Sequence, residues 1–225
     1  ALLMSKLKSL GTSEIADLMK VNAGLAQTAA SYIAQWSAPF TKENAKPAAG
    51  CFKGAVYTGL DARQWSDDEH EFAQAHVRIL SGLYGVLRPL DLIQPYRLEM
   101  GLRWSVTPQI SSLYAFWGDR IQKEVEQNCD GLIINLASKE YSKAGLSKAF
   151  EGRVITPEFK ELVGDEYKPR MTYAQQARGT MARFIVQHRL TQAEDLKKFN
   201  GMVYAFTPHL SQADRWVFTR DSSAA

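Results

Sequence analysis

The sequence predicts an α+β fold: a single domain whose mixed or antiparallel β-sheet is surrounded by helices, with an N-terminal element like a helix-hairpin-helix. Its 225 residues, 45% of them hydrophobic and 23% charged, suffice for a core that needs neither disulfide nor metal. Helical and strand-like segments follow one another without the strict β-α-β order of a doubly wound sheet. The last strand-like segments look antiparallel, which favours a mixed sheet.

The chain begins with a predicted helical hairpin. Thr12 is a suitable N-cap, and apolar residues three and four positions apart continue a helix to Met19. The sequence from Val21 to Gly24 should break it, and a second amphipathic helix covers about Leu25–Trp36. Two short helices joined by a tight Asn/Gly turn form an αα-hairpin.

The remaining elements are bounded by glycines, prolines and capping residues. Ser66 and Glu69 form a capping box that begins a helix, and Thr191 with Glu194 should cap a short one. Longer periodic or apolar segments predict helices over residues 113–127 and 174–187, and strands over residues 55–60, 131–138, 154–161, 167–173, 202–206 and 215–220.

The stretch Leu80–Gly101, LSGLYGVLRPLDLIQPYRLEMG, is too rich in glycine and proline for one regular element. Proline fixes φ, so the segment is stiff, and two arginines on a stiff loop suit bidentate binding of phosphate or carboxylate. The alternative is that each arginine pairs with an acid nearby, Asp91 or Glu99. The candidate residues of a small-ligand pocket are Tyr84, Arg88, Tyr96, Arg97 and Glu99.

A second candidate is a basic segment. Between Glu166 and Glu194 the chain has no acid and five cations, so the rest of the molecule carries 3 − 5 = −2 of the net charge of +3. A field concentrated in this way attracts anions. On a helix Arg178 and Arg189 would share a face, with Arg183 about 140° away from Arg178, and Gly179 suggests close approach of a ligand. The alternative is an ordinary solvated face. The cations are Lys168, Arg170, Arg178, Arg183 and Arg189.

The hairpin Met19–Ala30, MKVNAGLAQTAA, has the outline of a helix-hairpin-helix. That motif presents backbone N–H groups at a helix N-terminus to DNA phosphates. Lys20, Asn22 and Gly24 are the candidate contacts. The turn has one glycine where the motif usually has two, so an ordinary αα-hairpin is the alternative.

Other chemistries find no support in the sequence. Cys51 and Cys129 fit no metal or redox spacing, and the histidines are too scattered to suggest a metal site. There is no P-loop, dinucleotide fingerprint or nucleophile elbow, and no apolar run of about 20 residues that would span a membrane. The sequence therefore predicts no metal, no cofactor, no catalytic residue and no membrane partner, and it leaves the oligomeric state open.

With the 80–101 stretch, four further blocks resemble the YaaA peroxide-stress protein family of bacteria. They are FKGAVYTGL at 52–60, FWGD at 116–119, INLASKEY at 134–141 and ARGTMARFI at 177–185. The resemblance implies a cytoplasmic protein of the oxidative-stress response that limits iron-driven damage. It also implies DNA binding through a helix-hairpin-helix and a positively charged cleft on an unusual α/β fold, with Arg178 and Arg183 in the basic wall.

The sequence departs from that family at its start. ALLMSKLKSL stands where the family has a strand followed by a Ser-Pro-Ala-Lys block, so we expect that strand and block to be absent from this chain. The leading hypothesis is a non-enzymatic DNA-binding protein of the peroxide response, weakly sequence-specific because it contacts phosphates. The alternative is an enzyme acting on a small phosphorylated or nucleotide-like substrate in a pocket framed by residues 80–101.

Overall fold

Helices and strands are mixed along the chain without regular alternation in the computed structural model, which describes residues 1–146 and 150–221. The helices are α1 (Leu2–Lys8), α2 (Thr12–Met19), α3 (Ala23–Gln35), α4 (Ala48–Cys51), α5 (Ala55–Leu60), α6 (Asp67–His76), α7 (Leu113–Trp117), α8 (Arg120–Gln127), α9 (Lys139–Gly145) and α10 (Met171–Gln187). Short 3-10 helices cover Ala62–Gln64, Ala193–Lys198, Gly201–Val203 and Pro208–Leu210.

The strands are short except for one. They are β1 (Lys46–Pro47), β2 (Ile79–Ser81), β3 (Gly85–Leu87), β4 (Leu92–Ile93), β5 (Leu132–Ile134), β6 (Arg153–Val163), β7 (Glu166–Lys168), β8 (Ala205–Phe206) and β9 (Arg215–Arg220). Two units are built from these elements. The first contains residues 1–51, 78–128 and the segment that starts at Ser138, and the second contains residues 52–77, 129–137 and the chain from Phe150.

The first unit is a helical assembly with two small β-ladders. Helices α1, α2 and α3 bury one apolar face each, around Leu7, Ile15 and Ile33. The 80–101 stretch contains β3, β4 and most of β2, which form the antiparallel pairs β1–β4 and β2–β3. Met100 and Leu113 complete the core, and each such side chain contributes about 1.5–3 kcal/mol when fully buried.

The second unit is organised by a mixed sheet in the order β5-β6-β9-β8, with β7 paired to β6. Strand β6 is parallel to β5 and β9, whereas β7 pairs with β6, and β8 with β9, in antiparallel fashion. Along β6 the side chains alternate between buried and half-buried positions, as expected when one face of a strand is covered. Phe159 and Phe218 stack at 5.6 Å between ring centroids in the core beneath α10.

The predicted α+β class with a mixed sheet is confirmed. The helical hairpin forms, and so do the helix begun by the Ser66–Glu69 capping box and strand β9 at its predicted bounds. The antiparallel expectation for the last strands holds for β8 with β9 but is wrong for β9 with β6. The single-domain expectation stays a prediction.

One element type is wrong. Residues 55–60 form helix α5, not a strand. The prediction relied on Gly54 and Gly59 as strand boundaries. Gly54 instead occupies the N-cap of the helix at φ 119°, and Gly59 lies inside it against α10. Tertiary packing therefore outweighs the poor helix propensity of glycine.

Other boundaries also needed correction. The helix predicted over 113–127 is interrupted at Gly118, whose φ is +55°. The strand predicted over 167–173 ends at Lys168 because Pro169 follows, and α10 begins at Met171. The strand predicted over 202–206 is reduced to β8, since Met202 and Val203 have left-handed φ angles. Neither Thr12 nor Thr191 is an N-cap, because Gly11 and Gln192 hold those positions.

Candidate functional site

The turn between α2 and α3 is solvent-exposed. Lys20 closes α2 in the left-handed conformation, with φ 52° and its N–H donating to the carbonyl of Ala16. Asn22 is the N-cap of α3, and its side-chain oxygen accepts the N–H of Leu25 at 3.0 Å. Lys20, Asn22 and Gly24 are all exposed. The structure thus brings the three predicted hairpin residues together at one helix start.

The first turn of α3 offers backbone donors to solvent. The N–H groups of Ala23 and Gly24 precede the first intrahelical hydrogen bonds, so the helix supplies them no acceptor. The first turn contains no acid, which leaves the positive end of the helix dipole uncompensated by side chains there. These are the conditions under which a helix N-terminus holds a phosphate.

The basic segment is less positive than its sequence suggests. Arg183 pairs with Asp61 at 3.3 Å and Arg189 with Asp68 at 2.6 Å, both acids from distant parts of the sequence. Lys168 pairs with its neighbour Glu166 at 2.7 Å, and Arg170 lies 4.0 Å from Glu161. Most of the acid-free segment is therefore neutralised by acids that folding places beside it.

Arg178 differs from the other four cations. It is half-buried, and within residues 1–146 and 150–221 it forms no ion pair. Burial lowers the pKa of its guanidinium, although an arginine stays protonated at neutral pH. A partly desolvated charge gains more from an anionic ligand than an exposed charge does, so Arg178 is the member of the segment best suited to contact a phosphate.

Gly179 serves packing rather than ligand approach. A Cβ placed there would overlap the carbonyl oxygen of Val56, and a Cβ at Gly59 would overlap the carbonyl oxygen of Gln176. The two glycines let α5 and α10 cross with their backbones nearly in contact. The interpretation of Gly179 as a ligand-approach position is therefore wrong.

The two tyrosines of the 80–101 stretch use their hydroxyls internally. Tyr84 accepts the indole N–H of Trp36 at 3.1 Å and donates to the carbonyl of Gln94 at 3.2 Å. Burial raises the pKa of Tyr84. The hydroxyl of Tyr96 lies 2.6 Å from that of Ser81, which is fully buried. These hydrogen bonds hold the 80–101 stretch against Trp36 and against itself.

The arginines of this stretch pair locally. Nε of Arg88 lies 3.7 Å from Asp91, and Nη2 of Arg97 donates to Glu99 at 2.8 Å. This is the pairing that the sequence offered as the alternative to a ligand pocket. A cavity of about 240 Å³ does lie in the same unit, but it is lined by Tyr32, Gln35, Trp36, Asn44, Gln94 and Pro95, none of them a predicted pocket residue.

Within the described residues, no helix has the length and apolar character needed to cross a bilayer. In those same parts of the chain, no three or more His, Cys, Asp or Glu side chains are grouped so that they could hold a metal ion.

The comparison with protein families decides the membership. The family model described as "Peroxide stress protein YaaA" matches residues 1–210. The chain belongs to this family. Among its relatives is a UPF0246 protein of Colwellia psychrerythraea, 46% identical over 99% of this chain and 88% of the relative. UPF0246 proteins of Ralstonia pickettii and Cellvibrio japonicus are 46% and 45% identical, over 97% of this chain and 86% of each relative.

Two of the sequence blocks that resemble the YaaA family lie where α5 packs against α10. The blocks FKGAVYTGL and ARGTMARFI, which carry part of the resemblance, contain Gly59 and Gly179 respectively. They form the contact between α5 and α10. Two of the blocks that identify the family in this sequence are thus parts of one packing contact.

Sequence reasoning missed a buried charged cluster in the second unit. Arg220 donates through Nη2 and Nε to Oε1 of Glu161 at 2.8 and 3.2 Å, and Tyr204 donates to the same oxygen at 3.0 Å. Burial, reinforced by the bond to Glu161, raises the pKa of Tyr204. The signal that the sequence offers is the two-residue period of a strand, which places Glu161 on the same face as Phe159.

It also missed an open cleft of about 550 Å³ in the same unit. One wall is the C-terminal half of α10 with His188, and the other is the segment from Lys198 to Gly201. Of the five cations of the predicted basic segment, Arg183 is the one that lines it.

Proposed function

We propose that the protein binds DNA through its phosphates in the cytoplasm and protects it from iron-driven oxidative damage during peroxide stress. Family membership supports the link to peroxide stress. The proposal needs neither a cofactor nor a catalytic group. Because phosphates carry no base identity, binding should be only weakly sequence-specific.

The observation that carries the proposal is the exposed start of α3. Backbone donors, the N-cap Asn22, the cation Lys20 and the small residue Gly24 lie within one turn of chain. A phosphate approaching along the helix axis meets N–H groups, and the first turn of α3 contains no acid to repel it.

Cations of the second unit add further phosphate contacts. The side chains of Lys168, Arg170 and Arg189 are each more than half exposed. Exposed ion pairs contribute only about 0–1 kcal/mol, so a phosphate can replace the acid partner at little cost. Arg178 has no such partner to release among the described residues.

The substitution Gly24→Glu tests the hairpin directly. A glutamate in the first turn favours the helix by interaction with its dipole, and a Cβ at this position meets nothing closer than 3.6 Å. Folding should therefore be unaffected, while the carboxylate repels phosphate. We expect affinity for a short DNA duplex, measured by fluorescence anisotropy at about 0.15 M salt, to fall about tenfold or more, since a charge-assisted hydrogen bond contributes roughly 1.5–3 kcal/mol.

Ser31→Glu is the matched control. It adds the same charge on the same helix at an exposed position, about 10 Å further along the axis. It should change affinity by less than about threefold, as expected for a screened surface charge. Equal losses in both variants would mean that overall charge, and not the hairpin, governs binding; unchanged affinity in Gly24→Glu would remove the hairpin from the interface.

A further inference from the structure

The open cleft of the second unit combines basic, amide and aromatic side chains. Its lining residues from α10 lie on one side of that helix and face a 3-10 segment and the turn that follows it. The residues are Thr180, Arg183, Phe184, Gln187, His188, Lys198, Phe199, Asn200 and Gly201. None is an acid, and three have basic side chains.

The two permanent cations keep donors available for a ligand. Arg183 contacts Asp61 through Nη1 alone, whereas a guanidinium has five N–H donors in a planar fork. Lys198 pairs with Asp195 at 2.7 Å, but its side chain is 76% exposed. Such a surface pair is weak and exchanges readily for a stronger anion.

The C-terminal end of α10 is compatible with an anion because its last carbonyls are occupied. The N–H groups of His188, Arg189 and Leu190 donate to the carbonyls of Phe184, Val186 and Ile185. Arg189 adopts a left-handed φ of 49° at the position that ends such a motif. Most carbonyl groups at the negative end of α10 thus accept hydrogen bonds within the chain, and they repel an anion less than free carbonyl groups would.

The opposite wall is held by a strained turn. Met202 and Val203 have φ angles of 54° and 64°, a conformation that is unusual for a β-branched residue. The turn places Gly201 so close to α10 that a Cβ there would lie 2.8 Å from the methyl group of Thr180. Strain of this kind persists where surrounding structure enforces it, and it clusters at ligand sites.

We infer that this cleft binds a phosphate-bearing ligand of about the size of a nucleoside monophosphate. The phosphate contacts Arg183 and Lys198, and the side chains of Gln187 and Asn200 supply neutral hydrogen bonds to the rest of the molecule. The rings of Phe184 and His188, 4.4 Å apart between centroids, offer a surface for a base. The volume falls in the usual range for small-molecule sites. The inference goes beyond DNA binding, although Arg183 also belongs to the basic segment that the sequence predicts to contact DNA.

The test is isothermal titration of the intact protein with adenosine 5′-monophosphate, adenosine and inorganic phosphate. The nucleotide should bind with one-to-one stoichiometry and at least about tenfold more tightly than adenosine, because only the nucleotide forms the charge-assisted contacts. The double variant Arg183→Gln, Lys198→Gln should weaken nucleotide binding about tenfold or more. Competition by a single strand with a 5′-phosphate, but not by the same strand without it, would identify a strand end as a natural source; competition by neither would identify a free nucleotide.

Lys197→Gln is the matched control for the lysine substitution. It removes the same charge from the residue next to Lys198 in the 3-10 helix Ala193–Lys198. Lys197 pairs with Glu194 and lies over the rings of Phe206 and Trp216, outside the cleft. Its variant should bind the nucleotide as the parent does. Absence of nucleotide binding at millimolar concentration, or an equal loss in the control, would overturn the inference. Gly24→Glu separates the two proposals, because it should reduce duplex binding and leave nucleotide binding unchanged.

Discussion

At the scale of single residues, Glu161 is the most constrained acid of the second unit. Its side chain is 4% exposed and that of Arg220 is 6% exposed. Two donors from Arg220 and one from Tyr204 share one carboxylate oxygen, and a further Arg220 donor reaches the carbonyl of Met202. We propose that this buried, multiply hydrogen-bonded pair fixes one arrangement of β6 and β9 more than it adds stability.

Removing one partner of that pair should be costly. Glu161→Ala leaves Arg220 buried without its acid, and we expect a loss of about 3–5 kcal/mol in the free energy of unfolding, measured by urea denaturation. Glu158→Ala is the control on the same strand. Its carboxylate is 35% exposed and pairs with Lys160 and Arg215, so the loss should stay below about 1 kcal/mol. Similar losses in the two variants would contradict the proposed role of Glu161.

Ion pairing is the residue-scale feature that the sequence predicts least well. The pairs of Arg88 with Asp91 and of Arg97 with Glu99 were foreseeable, because the partners lie two or three residues apart. The pairs of Arg183 with Asp61 and of Arg189 with Asp68 join residues more than a hundred positions apart. No local pattern indicates them, since they depend on how α5, α6 and α10 pack.

At the scale of elements, the crossing of α5 and α10 explains a failed prediction. Val56, Tyr57 and Thr58 favour a strand by their intrinsic preferences, and a glycine in the interior of a helix costs about 1 kcal/mol. The helix forms because Gly59 and Gly179 permit a backbone approach that a side chain would prevent. That approach depends on a partner 120 residues away in the sequence.

Gly179→Ala tests the crossing. Its methyl group would meet backbone atoms of Val56 and Leu60, which cannot rotate away, so we expect destabilisation of about 3 kcal/mol in chemical denaturation. Gly50→Ala in α4 is the matched control. Apart from its chain neighbours and the backbone of its own helix, no atom lies within 4 Å of the position that its methyl group would take, and its φ is unexceptional, so it should change stability by no more than about 1 kcal/mol, in the stabilising direction. A neutral Gly179→Ala would show that the helices can separate freely.

At the scale of the whole molecule, folding alters the charge distribution that the sequence alone suggests. The chain has a net charge of only +3, and folding pairs most of the basic segment with acids. What the sequence predicted well were the helical hairpin and the long elements β6 and α10, because their periodicity is local. The sequence could not predict the cleft beside Arg183. Nor could it predict that Arg178 is half-buried without an ion pair among the described residues. Both features arise from contacts between distant segments.

The dependence of DNA affinity on salt tests the central claim most directly. If the hairpin and the basic side chains neutralise about four phosphates, a plot of log K against log salt concentration should have a slope of about −3.6. Replacing the half-buried Arg178 by Gln should make that slope shallower by about 1, as expected for the loss of one phosphate contact, whereas Arg215→Gln on β9 should leave it unchanged. A slope near zero, or no measurable duplex binding at low salt, would contradict phosphate-directed DNA binding.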